Sequence, residues 1–144
     1  KNILGHLAYV MEGAKRIFDV KTYHLCVEAN GEVHEGDYIY GMITNSNSVG
    51  GFKNMTGKNV LLDDGKFEVT LIRKPKNLVE LNEILASLSN MIDDTDAIYS
   101  FKSDCITFYA EEKVPWTLDG EYGGNPQEVK ISNQQQALEI MVKK

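Results

Sequence analysis

Cysteine, basic charge and long apolar stretches are all scarce in this chain of 144 residues, and each shortage removes a class of protein. The two cysteines, Cys26 and Cys105, sit inside apolar runs. They lack the spacing of a disulfide framework or a zinc site, so free, buried thiols in a reducing compartment are expected. Lys and Arg number 15 against 21 Asp and Glu, a net charge of −6. That balance argues against a broad basic face and hence against nucleic acid as a partner. A local patch could still meet a membrane surface. No apolar run approaches the length of a membrane span. Lys1 to Met11 carry a faint signal-peptide pattern, but Gly5 and His6 interrupt it and no small-residue cleavage pattern follows. The three histidines, His6, His24 and His34, match no compact ligand motif, so a histidine metalloenzyme is a weak alternative. There is no internal repeat and no low-complexity tract. The chain does not begin with Met, which suggests a piece of something longer.

What is present is an ordinary globular composition, 42% hydrophobic and 25% charged, at a length that suits one domain. Leu4, Leu7, Ala8, Met11, Ala14 and Phe18 recur at helical spacing. From Tyr23 the period changes to two, and Asn30-Gly31 follows as a hairpin turn that would set His34 opposite Val27. Gly36-Asp37 predicts another turn, and Tyr38 to Thr44 a further strand. Val60 to Leu62 and Phe67 to Ile72 read as strands on either side of an Asp63-Asp64-Gly65-Lys66 turn. A second helix follows Pro75, capped by Asn77 with Glu80 three positions on, and its stripe from Leu78 through Ile92 is expected to face the core. Strands are predicted over Ala97 to Lys102, Cys105 to Ala110, Glu128 to Ile131 and Ala137 to Val142. The whole reads as mainly β, an antiparallel β-sandwich with two accessory helices.

The stretch richest in chemistry is Val114-Pro115-Trp116-Thr117-Leu118-Asp119-Gly120-Glu121-Tyr122-Gly123-Gly124. If Leu118 to Glu121 is extended, Asp119 and Glu121 share a face, because side chains alternate along a strand. Two carboxylates so placed raise the proton affinity of one of them, and a raised carboxylate is a general base. The other reading is a solvated Asp-Gly turn. Asp63-Asp64-Gly65 is equally open. An acidic turn can hold a hard cation through a carboxylate and main-chain carbonyls, or be only a turn.

The order of these pieces carries more than any one of them. Gly5-His6-Leu7-Ala8-Tyr9, Tyr38-Ile39-Tyr40-Gly41-Met42, Asn45 with Gly50-Gly51, Leu61 through Val69, and Thr117-Leu118-Asp119-Gly120-Glu121 span most of the chain. In that order they resemble the C-terminal half of the soluble bacterial diacylglycerol-kinase-like lipid kinases. The resemblance implies a two-domain parent whose N-terminal α/β domain carries the glycine-rich nucleotide loop. No Gly-Gly-Asp-Gly-Thr segment occurs here, so residues 1–144 would be a single β-sandwich domain without that half, inactive alone.

The resemblance further implies transfer of the γ-phosphoryl group of ATP to a lipid hydroxyl such as that of diacylglycerol. Glu121 would accept the hydroxyl proton, and Asp119 would support it or help hold magnesium through water. A second Mg2+ would sit on the carboxylate of Asp64 and the main-chain carbonyls of Leu61 and Lys66. The implied partners are the lipid substrate, the missing N-terminal domain and, transiently, a membrane surface reached from the cytoplasm; a homodimer is compatible with them. Lys58, Val60 and Ser46 depart from the family pattern near the metal turn. A related kinase acting on a sphingoid or other lipid, and a non-catalytic β-sandwich binding module, are the alternatives.

Overall fold

The computed structural model describes residues 16–47, 60–88, 95–137 and 141. Eight strands and one complete helix lie among them. These are β1 (Tyr23–Ala29), β2 (Glu32–Thr44), β3 (Phe67–Arg73), α1 (Leu78–Leu88), β4 (Ile98–Ser103), β5 (Cys105–Ala110), β6 (Thr117–Leu118), β7 (Glu121–Tyr122) and β8 (Glu128–Ser132). Six form one antiparallel sheet in the order β4-β3-β2-β1-β5-β8, and β6 with β7 makes a separate ribbon. The fold is thus mainly β and antiparallel, as the alternation predicts. No helix among the described residues is long and apolar enough to cross a membrane.

The layered arrangement comes from one strand. Residues 32–38 of β2 pair with β1, while residues 38–44 pair with β3. A register shift between Tyr38 and Tyr40 marks a bulge where the two pairings meet, and a bulge bends a strand. The sheet therefore folds over on itself there. His34, in the first half of β2, reaches Tyr99 on β4 with ring centroids 4.4 Å apart. Asn30 in the first hairpin turn donates to the Lys102 carbonyl at 2.8 Å. Leu25, Val27, Ala29, Ile106 and Phe108 from one leaf and Tyr38, Val69 and Leu71 from the other make a single buried cluster.

This arrangement corrects the expected turn at Gly36-Asp37, where β2 runs straight through. A Cβ at Gly36 would come within 3.1 Å of the Tyr38 ring, so the glycine makes room for a buried aromatic. The first hairpin is as predicted. Asn30 and Gly31 both have positive φ, 54° and 80°, and His34 stands opposite Val27. Val60 to Leu62 is not a strand: Leu61 and Leu62 are more than half exposed and pair with nothing in the sheet.

Asn77 caps α1 by accepting from the N–H groups of Val79 and Glu80, each at 2.9 Å. Glu80 reaches back to the Lys76 N–H at 2.7 Å. Only part of the expected apolar stripe is covered. Leu81 and Ile84 are buried, whereas Leu78 and Leu85 lie open. Residues 16–18 are helical; the rest of the first predicted helix lies outside the described residues, as do Ile92, Gly50 and Gly51. The last predicted strand falls largely outside them too, and Ala137 and Met141 are not in a strand.

Candidate functional site

The carboxylate pair sits on the ribbon. Leu118 pairs with Glu121 across a two-residue turn in which Asp119 and Gly120 have φ of 49° and 90°. Both values lie in the left-handed region that a tight hairpin demands, which Asp and Gly tolerate best. This corrects the premise of an extended Leu118–Glu121: Asp119 is the corner of the turn, so alternation does not relate its side chain to that of Glu121. Both residues are exposed.

The ribbon is anchored from behind. Trp116 donates to the Gly124 carbonyl at 2.9 Å, and Gly123 donates to the Trp116 carbonyl at 2.8 Å. A Cβ on Gly123 would stand 3.0 Å from Leu118 and 3.3 Å from that carbonyl. The Trp116 ring meets Phe108 edge-on at 5.3 Å, and Val114 packs on the same core. Glu121 thus projects from a short hairpin whose root is set in the hydrophobic cluster.

The second candidate is the acidic turn. Gly65 has φ of 74°, and Asp64 Oδ1 accepts from the Lys66 N–H at 2.9 Å, a side-chain closure typical of aspartate. The Leu62 carbonyl accepts from Asn45 at 3.3 Å, and the Asp63 carbonyl from Gln135. Asp64 Oδ2 lies 3.4 Å from the Lys102 ammonium, which is also 3.2 Å from Oε1 of buried Glu68. The Lys66 N–H and then Lys102 hold the Asp64 carboxyl below the usual aspartate range, against the opposing effect of burial. Burial works against the charge on Lys102, yet the carboxylates of Glu68 and Asp64 outweigh it and keep the ammonium above its usual value.

The sign follows from linkage. A carboxyl lowered in the folded state stabilises above its unfolded value and loses that contribution as pH falls through its folded one. Urea titrations should therefore show a larger acid-side stability loss in the wild type than in Asp64→Asn. Parallel curves for the two proteins would mean that the turn contributes no such linkage.

Asp64, Leu61 and Lys66 do share one turn. That turn lies with Asn30 and Ser103 at one end of the leaves. The ribbon belongs to a connection that leaves after Ala110 and rejoins at Gln127, at the other end of β5. Among the described residues no hydrogen bond or ion pair joins the two. As for metal fit, the turn offers one ionised carboxylate and main-chain oxygens, the hard donors that Mg2+ takes. The lysine beside it opposes a cation.

The sequence singled out Asn45 but not its contact with this turn, and sequence reasoning missed Lys102 and Gln135, which also reach the turn, and Glu68, which meets it through Lys102. A charged Glu68 within an apolar strand was a legible signal; its cross-strand pairing with Lys102 was not. His24 is held between Asp37 at 2.8 Å and Glu35 at 2.9 Å, which raise its pKa in that order. His34 contacts Glu32 and Tyr99. Their register puts His24 and His34 on opposite faces of the sheet, so they cannot share an ion; His6 lies outside the described residues. Cys26 and Cys105 are free but half-buried, not fully buried as expected.

No family model matches the chain. It is 32% identical over 126 residues to the diacylglycerol kinase of Bacillus subtilis, covering 86% of this chain and 41% of the relative. It is 31% identical to that of Staphylococcus carnosus, again over 86% of this chain and 40% of the relative. The chain thus spans about two fifths of the length of the curated relatives it matches. The crystal structure of a diacylglycerol kinase from Bacillus anthracis superposes with a TM-score of 0.63 at 20% identity, over 86% of this chain and 42% of that one. By sequence, with the fold in agreement, the chain is similar to the C-terminal part of the diacylglycerol kinases.

Proposed function

We propose that the chain is the acceptor-side domain of an ATP-dependent lipid kinase, transferring the γ-phosphoryl group of ATP to the hydroxyl of a lipid such as diacylglycerol. The observation that carries this reading is the likeness to diacylglycerol kinases over 86% of the chain, at 32% identity. The exposed Asp119-Gly120 hairpin, rooted on Phe108, suits the role that the reading gives Glu121.

A lipid hydroxyl is a weak nucleophile at neutral pH. In the proposed step its oxygen bonds to the γ-phosphorus while the bond from that phosphorus to the β,γ-bridging oxygen breaks and ADP leaves. Glu121 takes the hydroxyl proton as the new bond forms. Phosphoryl transfer asks mainly for positioning and charge neutralisation. A two-residue hairpin turn, rooted on Phe108 through Trp116, carries the carboxylate, and Asp119 shapes the corner and adds negative charge beside it. ATP is held mainly by the N-terminal domain of the parent enzyme. At the acidic turn Asp64, with the carbonyls of Leu61 and Lys66, would hold Mg2+, which when bound supplies fixed positive charge to the turn.

The test is phosphorylation by the full-length protein of a panel of diacylglycerol, sphingoid and other lipid alcohols with labelled ATP. Transfer to diacylglycerol above the others supports the reading; no transfer to any lipid overturns it. In the same assay Asp64→Ala is expected to flatten the magnesium dependence while leaving nucleotide binding intact. A magnesium titration identical to wild type would reduce the turn to a structural one.

A further inference from the structure

The acidic turn carries a feature that a simple cation site would not need. Lys102 is placed between its aspartate and a second, deeper carboxylate. Glu68 is 3% exposed. Its Oε1 has the Lys102 ion pair at 3.2 Å, and neither Oε1 nor Oε2 makes a hydrogen bond of good geometry among the described residues. Thr44 Oγ1, on the strand next to Glu68, is likewise buried without a hydrogen bond. A buried carboxylate with so few hydrogen bonds is costly unless a cation neutralises it. Here that cation is the ammonium, which at the same time faces Asp64 Oδ2 at 3.4 Å.

We propose that Lys102 is a positioning and tuning residue for divalent-cation binding at the acidic turn: it cancels the charge of Glu68 and so limits the affinity of the Asp64 site. This rests on the magnesium reading of that turn given above. The charge count makes the claim specific. With Asp64, Glu68 and Lys102 all ionised, the cluster carries one net negative charge. Removing the Lys102 charge leaves two carboxylates facing an incoming dication, with the more weakly acting Lys66 as the remaining ammonium near Asp64. At separations of several ångströms in a partly screened site, that change is large. Removing the charges of both Glu68 and Lys102 restores the single negative charge.

The experiment is a calorimetric titration of the nucleotide-free, full-length protein with MgCl2 at constant ionic strength. Lys102→Met should bind about tenfold more tightly than wild type, or tighter still. Lys102→Arg keeps the charge and should stay within about threefold of wild type, as should the double variant Glu68→Gln/Lys102→Met, whose charge count is unchanged. A lysine that merely props the turn would predict the opposite, weaker binding in Lys102→Met. Equal or weaker binding in that variant therefore overturns the inference while leaving the magnesium reading in place. Absence of saturable binding in both wild type and Lys102→Met overturns the magnesium reading, and this inference with it. Should Lys102→Met fail to fold, the double variant decides, because its buried pair is neutral on both sides. A double variant binding tenfold tighter or tenfold weaker than wild type would reject the charge count.

Discussion

Replacing Glu121 by glutamine in the full-length protein is expected to lower turnover by ~10²–10⁴-fold with little change in melting temperature. The amide keeps the size and polarity of the side chain but cannot take up the hydroxyl proton. The position favours a clean result. The Glu121 side chain is exposed and makes no hydrogen bond or ion pair among the described residues, so folding does not lean on its charge. The hairpin itself rests on Asp119, Gly120 and the Trp116–Gly124 closure, none of which the substitution touches. The loss should fall on kcat, since the proton moves only as the new bond forms. A variant turning over at the wild-type rate would remove Glu121 from the mechanism.

Truncating Phe108 to alanine is expected to destabilise the fold by about 3–5 kcal/mol, read from urea unfolding followed by circular dichroism. Phe108 is 3% exposed and stands between Val27 and Val129 in the sheet. Its ring also receives the edge of Trp116, a contact worth about 0.5–1.5 kcal/mol beyond burial. The same substitution should free the root of the ribbon. Trp116 is the single tryptophan, so its emission reports this directly and should shift to the red. A stability loss below about 1 kcal/mol would mean that the site collapses around the smaller side chain more fully than a close-packed core allows.

The residues that announce themselves locally were readable from the sequence. Asn30-Gly31, Asp119-Gly120 and the Asn77 cap act within a few positions of themselves, and all three form the local structure their chemistry dictates. Features that depend on distant partners were hidden. Gly36-Asp37 has the composition of a turn, yet burial of Tyr38 keeps the strand straight across it. Val60 to Leu62 has the composition of a strand, yet it joins neither sheet among the described residues and leaves Leu61 and Leu62 exposed. Asp119 and Glu121 look like neighbours on one strand face until the tightness of the turn is known. The convergence of Asn45, Lys102 and Gln135 on the acidic turn needs the fold-over of the sheet, which no short window of sequence encodes.

That fold-over has a consequence for how the domain comes apart. Each half of β2 lends its hydrogen bonds to a different leaf, and the leaves meet in one buried cluster. Neither leaf can melt without stripping the other of a strand and of the apolar contacts of the shared cluster. Heat or denaturant should therefore take the described sheet through a single all-or-none transition, with no half-melted species accumulating.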